Sequence, residues 1–107
     1  MRFLPLACLA LACAGASAGD FHEATVVISG HRFTPAELKV PAGRKIRLTV
    51  INNDATPEEF ESYELNREKV VSGNGRITVF VGPLSPGRYP YFGDFHQDTA
   101  KGSLVAE

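Results

Sequence analysis

Lys45-Ile46-Arg47-Leu48-Thr49-Val50-Ile51-Asn52 decides the fold class. Ile46, Leu48 and Val50 alternate with Lys45, Arg47 and Thr49, so one face is apolar and the other polar, the period of a half-buried β-strand. Working outward, Arg76 to Val81 repeats the pattern, with Ile77, Val79 and Val81 on one side. Thr25 to Ser29 is β-branched, and Ala36 to Val40 runs into the turn Pro41-Ala42-Gly43. Glu59 to Leu65 reads as a strand that carries charge. Arg88 to Phe92 is aromatic-rich, and Gly102 to Val105 closes the chain. Glu64 to Val71 favours a helical turn by composition, but it is short and poorly periodic. Turns fall at Ser72-Gly73-Asn74-Gly75 and Pro83 to Gly87. Seven or eight short, closely spaced strands predict an all-β sandwich or small barrel.

The first segment reads differently. Met1-Arg2 is followed by an apolar run from Phe3 to Ala12, then Ala16-Ser17-Ala18, a small-x-small cleavage pattern. The run is half the length of a spanning helix, which needs about 20 residues. Residues 1–18 are therefore expected to be a signal peptide and 19–107 the domain, exported and, in a bacterial cell, periplasmic. Lipoprotein processing at Cys13 is the competing expectation. Cleavage after Ala18 would remove Cys8, Cys13 and Met1, leaving no thiol, disulfide or thioether.

Eleven basic and twelve acidic residues are nearly balanced. No basic patch of the kind that tracks nucleic acid is visible, and no second apolar stretch is long enough to span a membrane.

If the strand before Pro41 runs one way and Lys45 to Asn52 returns, three connections meet at one end: His31 to Pro35, Asn53 to Glu58, and Gly93 to Ala100. They hold most of the chemistry. Glu59 and Glu61 project from the same face of a strand, and like charges there repel unless solvated or bridged by a cation. A charge-protected edge strand is the alternative. In Gly93-Asp94-Phe95-His96-Gln97-Asp98, an extended backbone would put Asp94 and His96 on one face and Phe95 inward; the alternative is a polar turn. Imidazole with carboxylate suits Fe, Cu(II), Mn or Zn. Glu59, Glu61, Asp94 and His96 are thus the candidate ligands, with Glu58 and His31 as alternates. Which of Glu58 and Glu59 points inward depends on a one-residue register. No nucleophile-base pair suggests a hydrolase.

Three stretches resemble the cupredoxin family: Phe33-Thr34-Pro35-Ala36-Glu37-Leu38-Lys39-Val40-Pro41-Ala42-Gly43, Leu48-Thr49-Val50-Ile51-Asn52-Asn53, and Leu84-Ser85-Pro86-Gly87-Arg88-Tyr89-Pro90-Tyr91. The resemblance implies a Greek-key β-sandwich. Blue-copper members place a His after the Asn-rich loop, then Cys, His and often Met around the last loop; here the first His position falls near Glu58 and the Cys position near Gly93, no Met follows, and His96 survives. The thiolate of a blue site is absent, so the resemblance implies a non-blue copper or iron ion.

Glu59-Phe60-Glu61-Ser62 and Phe92-Gly93-Asp94-Phe95-His96 are similar to segments of the cupredoxin-like proteins encoded with bacterial ferrous-iron uptake systems. That likeness implies an inner-membrane iron permease as partner and help in oxidising Fe(II) to Fe(III), a ferroxidase-like role. A Cu(II) carrier, or a metal-free module docking a permease or other periplasmic protein, are the alternatives.

Overall fold

The computed structural model describes residues 20–107, so the expected leader, Cys8 and Cys13 lie outside the described residues. Nine strands follow in chain order: β1 (His22–Ser29), β2 (Arg32–Thr34), β3 (Glu37–Val40), β4 (Ile46–Asn52), β5 (Glu58–Ser62), β6 (Arg67–Val71), β7 (Arg76–Val81), β8 (Gly87–Gly93) and β9 (Lys101–Ala106). One 3-10 turn, Asp94–His96, lies between β8 and β9. Among the described residues no helix is long and apolar enough to cross a membrane.

The strands form two sheets, β2-β1-β4-β7 and β3-β9-β8-β5-β6. β1 runs parallel to β4 and β3 parallel to β9; the other pairs are antiparallel. The all-β sandwich is as expected, with nine strands rather than seven or eight. The additions are β2, only three residues long, and β6, an edge strand on which Val71 alone is buried. The segment read as continuous from Glu59 to Leu65 ends at Ser62, and a turn at residues 63–66 leads into β6. The Ser62 hydroxyl stops the strand: it donates to Pro90 O (2.7 Å) and accepts from Leu65 N (3.0 Å).

Between the sheets, Ile46, Leu48 and Val50 of β4 meet Val26 and Ile28 of β1 and Leu104 of β9 in a buried cluster. An aromatic group caps it below the loop end. Tyr91 sits 4.9 Å from Phe33 and 5.0 Å from Phe60, ring to ring, separations at which aromatic pairs add to simple burial. Gly102, opposite Tyr91 on β9, leaves room for that ring; a Cβ there would fall 2.7 Å from it.

Candidate metal centre

The loop end is assembled by polar side chains that replace regular pairing. Asn52, fully buried at the end of β4, donates through Nδ2 to Thr56 O (2.8 Å) and Ser72 O (3.2 Å). Its Oδ1 accepts from Asp54 N (3.0 Å). The 53–57 connection is thereby folded back, and the chain enters β5 with Glu58 inward. Asp54 then holds the β1–β2 turn: its carboxylate accepts Gly30 N (2.8 Å) and His31 N (2.9 Å). These amides, His31's first, hold Asp54 below the usual carboxylate range. His31 has φ of 58°, a left-handed conformation uncommon for a non-glycine residue. Thr99 Oγ1 donates to His31 O at 2.6 Å, tying in the third connection.

Alternation along β5 divides the carboxylates between two faces. Glu58, Phe60 and Ser62 are buried, whereas Glu59 and Glu61 face outward. Glu58, only 2% exposed, is completely engaged. Its Oε1 lies 2.6 Å from His96 Nδ1, and its Oε2 accepts Phe95 N (2.8 Å) and Glu59 N (3.0 Å). The His31 ring stacks on His96, centroids 3.5 Å apart and planes 13° from parallel.

On the outer face, Glu59, Glu61 and Asp94 converge, one carboxylate oxygen from each lying within 4.8 Å of the others. Glu68 of β6 stands opposite Glu61 and joins them. Contact with the Glu68 carboxyl, then loss of water and the charges of Glu68 and Asp94, push Glu59 up to about 7. Glu61 is also raised, chiefly by loss of water.

Of the four expected ligands, three are therefore gathered on the outer face. The fourth, His96, turns its Nδ1 to the buried Glu58, with the alternate His31 against its ring. The extended reading of Asp94 to His96 is corrected. The segment is a 3-10 turn, and Phe95 is 49% exposed rather than packed inward. The cause is Glu58, which draws the Phe95 amide in and leaves its side chain outside. Sequence reasoning missed Glu68, hidden because β6 lacks alternation, and Asp54, which resembles any loop aspartate.

Gly93 closes the site. A Cβ at this position would lie 2.5 Å from Glu58 Cδ and 2.7 Å from Ala100 Cβ. A side chain at position 93 and the present pose of Glu58 exclude each other.

A family model described as a cupredoxin-like domain matches residues 2–106. The chain belongs to the cupredoxin-like domain family. Solved cupredoxins share its fold. Auracyanin A, a blue copper protein from Chloroflexus aurantiacus, aligns with a TM-score of 0.68 at 17% identity, over 80% of this chain and 98% of its own. A methionine-to-alanine variant of amicyanin in the Cu(I) form gives 0.64 at 22% identity, over 89% of each chain. A purple cupredoxin from Nitrosopumilus maritimus gives 0.60 at 19% identity, over 78% of this chain and 99% of its own. An uncharacterised protein of Rickettsia prowazekii (strain Madrid E) is 48% identical over 83 residues, covering 78% of this cupredoxin-like chain and 66% of the relative's length.

Proposed function

We propose that this cupredoxin-like protein is exported to the periplasm, binds copper or iron at a non-blue site, and assists ferrous-iron uptake by promoting oxidation of Fe(II) to Fe(III). The observation that carries the reading is the donor set at the loop end. A carboxylate-paired imidazole, His96, stands beside a glycine at the position where the blue-copper pattern places a thiol, and Glu59, Glu61 and Asp94 gather across β5. The described residues contain no thiol. They fit an ion that accepts nitrogen and oxygen donors, Cu(II) or iron, and not a thiolate-bound blue copper.

Hard anionic oxygens stabilise Fe(III) over Fe(II), because their attraction grows with the charge of the ion. Ferrous ion held by Glu59, Glu61 and Asp94 as substrate would lose one electron more readily. The electron would pass to a one-electron oxidant, either Cu(II), which would become Cu(I), or dioxygen, which would become superoxide. An inner-membrane iron permease is the partner that this reading assigns.

The test is elemental analysis of the exported protein, titration with Fe(II), Fe(III) and Cu(II), and a ferrous-oxidation assay. Metal binding with accelerated oxidation supports the reading. Copper binding without acceleration identifies a Cu(II) carrier instead, and absence of bound or bindable metal leaves a docking module.

A further inference from the structure

We infer that Glu58 is a positioning residue and not a ligand: it fixes His96 as the Nδ1–H tautomer, so that Nε2 is the nitrogen offered to a metal ion. This deepens the metal-binding reading above and rests on it.

Glu58 has no oxygen to spare. Oε2 takes two backbone amides, from Phe95 and Glu59, and Oε1 faces His96 Nδ1 at 2.6 Å. Two backbone N–H donors converging on Oε2 leave the carboxyl placed as an acceptor, and we therefore put the proton of the Oε1 contact on Nδ1. In a neutral imidazole protonated at Nδ1, the lone pair belongs to Nε2. Among the described residues Nε2 has no hydrogen-bond partner, and it is not among the buried unpartnered atoms. The His96 side chain keeps 27% of its exposure, whereas that of Glu58 keeps 2%. An ion can reach Nε2 without dismantling the Glu58 contacts.

The ring plane is fixed independently. His31 lies flat on His96, and its own backbone is pinned by Asp54 on its N–H and Thr99 on its carbonyl. One carboxylate thus sets the tautomer and one stacked ring sets the plane. Histidines that bind metals typically give their other ring N–H to such a carboxylate, and losing it costs about 10- to 100-fold in affinity. Imidazole nitrogen suits Cu(II), Fe(II) and Zn(II).

The test uses long-range nitrogen–proton NMR on the nitrogen-15-labelled exported protein, metal-free and with Zn(II) as a diamagnetic probe. The expected metal-free pattern for His96 is Nδ1 protonated and Nε2 bare. Zn(II) should shift Nε2 and leave the Nδ1 proton in place. In Glu58→Gln, the amide oxygen would keep the two backbone bonds and the amide NH2 would face Nδ1. The tautomer should then invert to Nε2–H, and Zn(II) affinity fall by about 10- to 100-fold. A wild-type Nε2–H tautomer, or a Zn(II) shift at Nδ1, overturns the inference, and this result does not depend on the variant folding. Zn(II) shifts confined to the amides of Glu59, Glu61 and Asp94 overturn it while leaving the metal-binding reading intact. Absence of any response to Zn(II), Cu(II) or iron overturns both.

Discussion

Gly93 and Glu58 share one volume: the hydrogen at Gly93 that a methyl would replace points at the Glu58 carboxyl, and a Cβ there would lie 2.5 Å from Cδ. Gly93→Ala must push Glu58 off His96 or displace Ala100. Overpacking of this kind costs about 1–3 kcal/mol. Glu58→Ala alone leaves the Phe95 amide and His96 Nδ1 without their acceptor and is also destabilising. Because truncating Glu58 relieves the clash, the double variant should lose less than the sum of the two, by at least about 0.5 kcal/mol. Denaturant unfolding of the four proteins measures this; strict additivity would argue that position 93 and Glu58 do not compete.

Stability should depend on pH through Glu59. Its carboxyl is raised from 4.5 to about 7, first by the neighbouring Glu68 carboxyl. The folded state therefore holds the Glu59 proton more tightly than the unfolded chain does, and the unfolded state binds fewer protons between those values. Stability falls with rising pH wherever that holds. The contribution is complete below about 4.5 and gone above about 7. In the metal-free protein, Tm should drop across this window, and Glu59→Gln should flatten the drop. An equal slope in both proteins would exclude Glu59 as its origin.

These two cases also mark what the sequence could and could not disclose. Strand β4 was legible because its two faces differ chemically at each step. Strand β6 was not, since Arg67 to Val70 are all exposed on an edge and carry no alternation. Glu68 therefore stayed hidden from the carboxylate group. Glu59, Glu61 and Asp94 could be named from strand geometry and turn composition. The inward placement of Glu58 could not, because it hangs on a single residue of register set by how Asn52 folds the 53–57 connection. His31 meets His96 only through the closure of the sandwich, and no local pattern announces such a contact.

Asn52 is the next point of leverage. It is fully buried, and its amide satisfies the carbonyls of Thr56 and Ser72 together with the amide of Asp54. Asn52→Ala strands those groups, at about 1–3 kcal/mol for a buried unsatisfied group. Loss of the fold-back should also free the entry to β5. Hydrogen exchange at the Phe95 and Glu59 amides, both held by Glu58, should accelerate more than exchange at the Val50 amide in mid-strand. Equal acceleration throughout would mean that Asn52 supports the whole sandwich and not this connection.

Asp54 anchors the seat of His31. Asp54 accepts two amides, Gly30 and His31, and its acidity is strengthened by them. A carboxylate with depressed pKa favours the folded state above its unfolded value, and that support disappears as the pH falls through the folded one. Asp54→Ala removes the only side-chain acceptor for the His31 amide among the described residues. His31 then has little to keep it at a φ of 58°, a conformation that a side chain with Cβ disfavours. The turn should relax and carry the ring away from His96. The cost in stability is modest, about 1–2 kcal/mol, since the bonds lie near solvent and are charge-assisted. The local readout is sharper: ring protons of His96 lose the shielding that a parallel imidazole 3.5 Å away provides. Asp54→Asn keeps one acceptor oxygen and should retain part of that shielding. If His96 proton shifts are the same in wild type and Asp54→Ala, the stack does not depend on the Asp54 anchor, and His31 is held by Thr99 and its own packing.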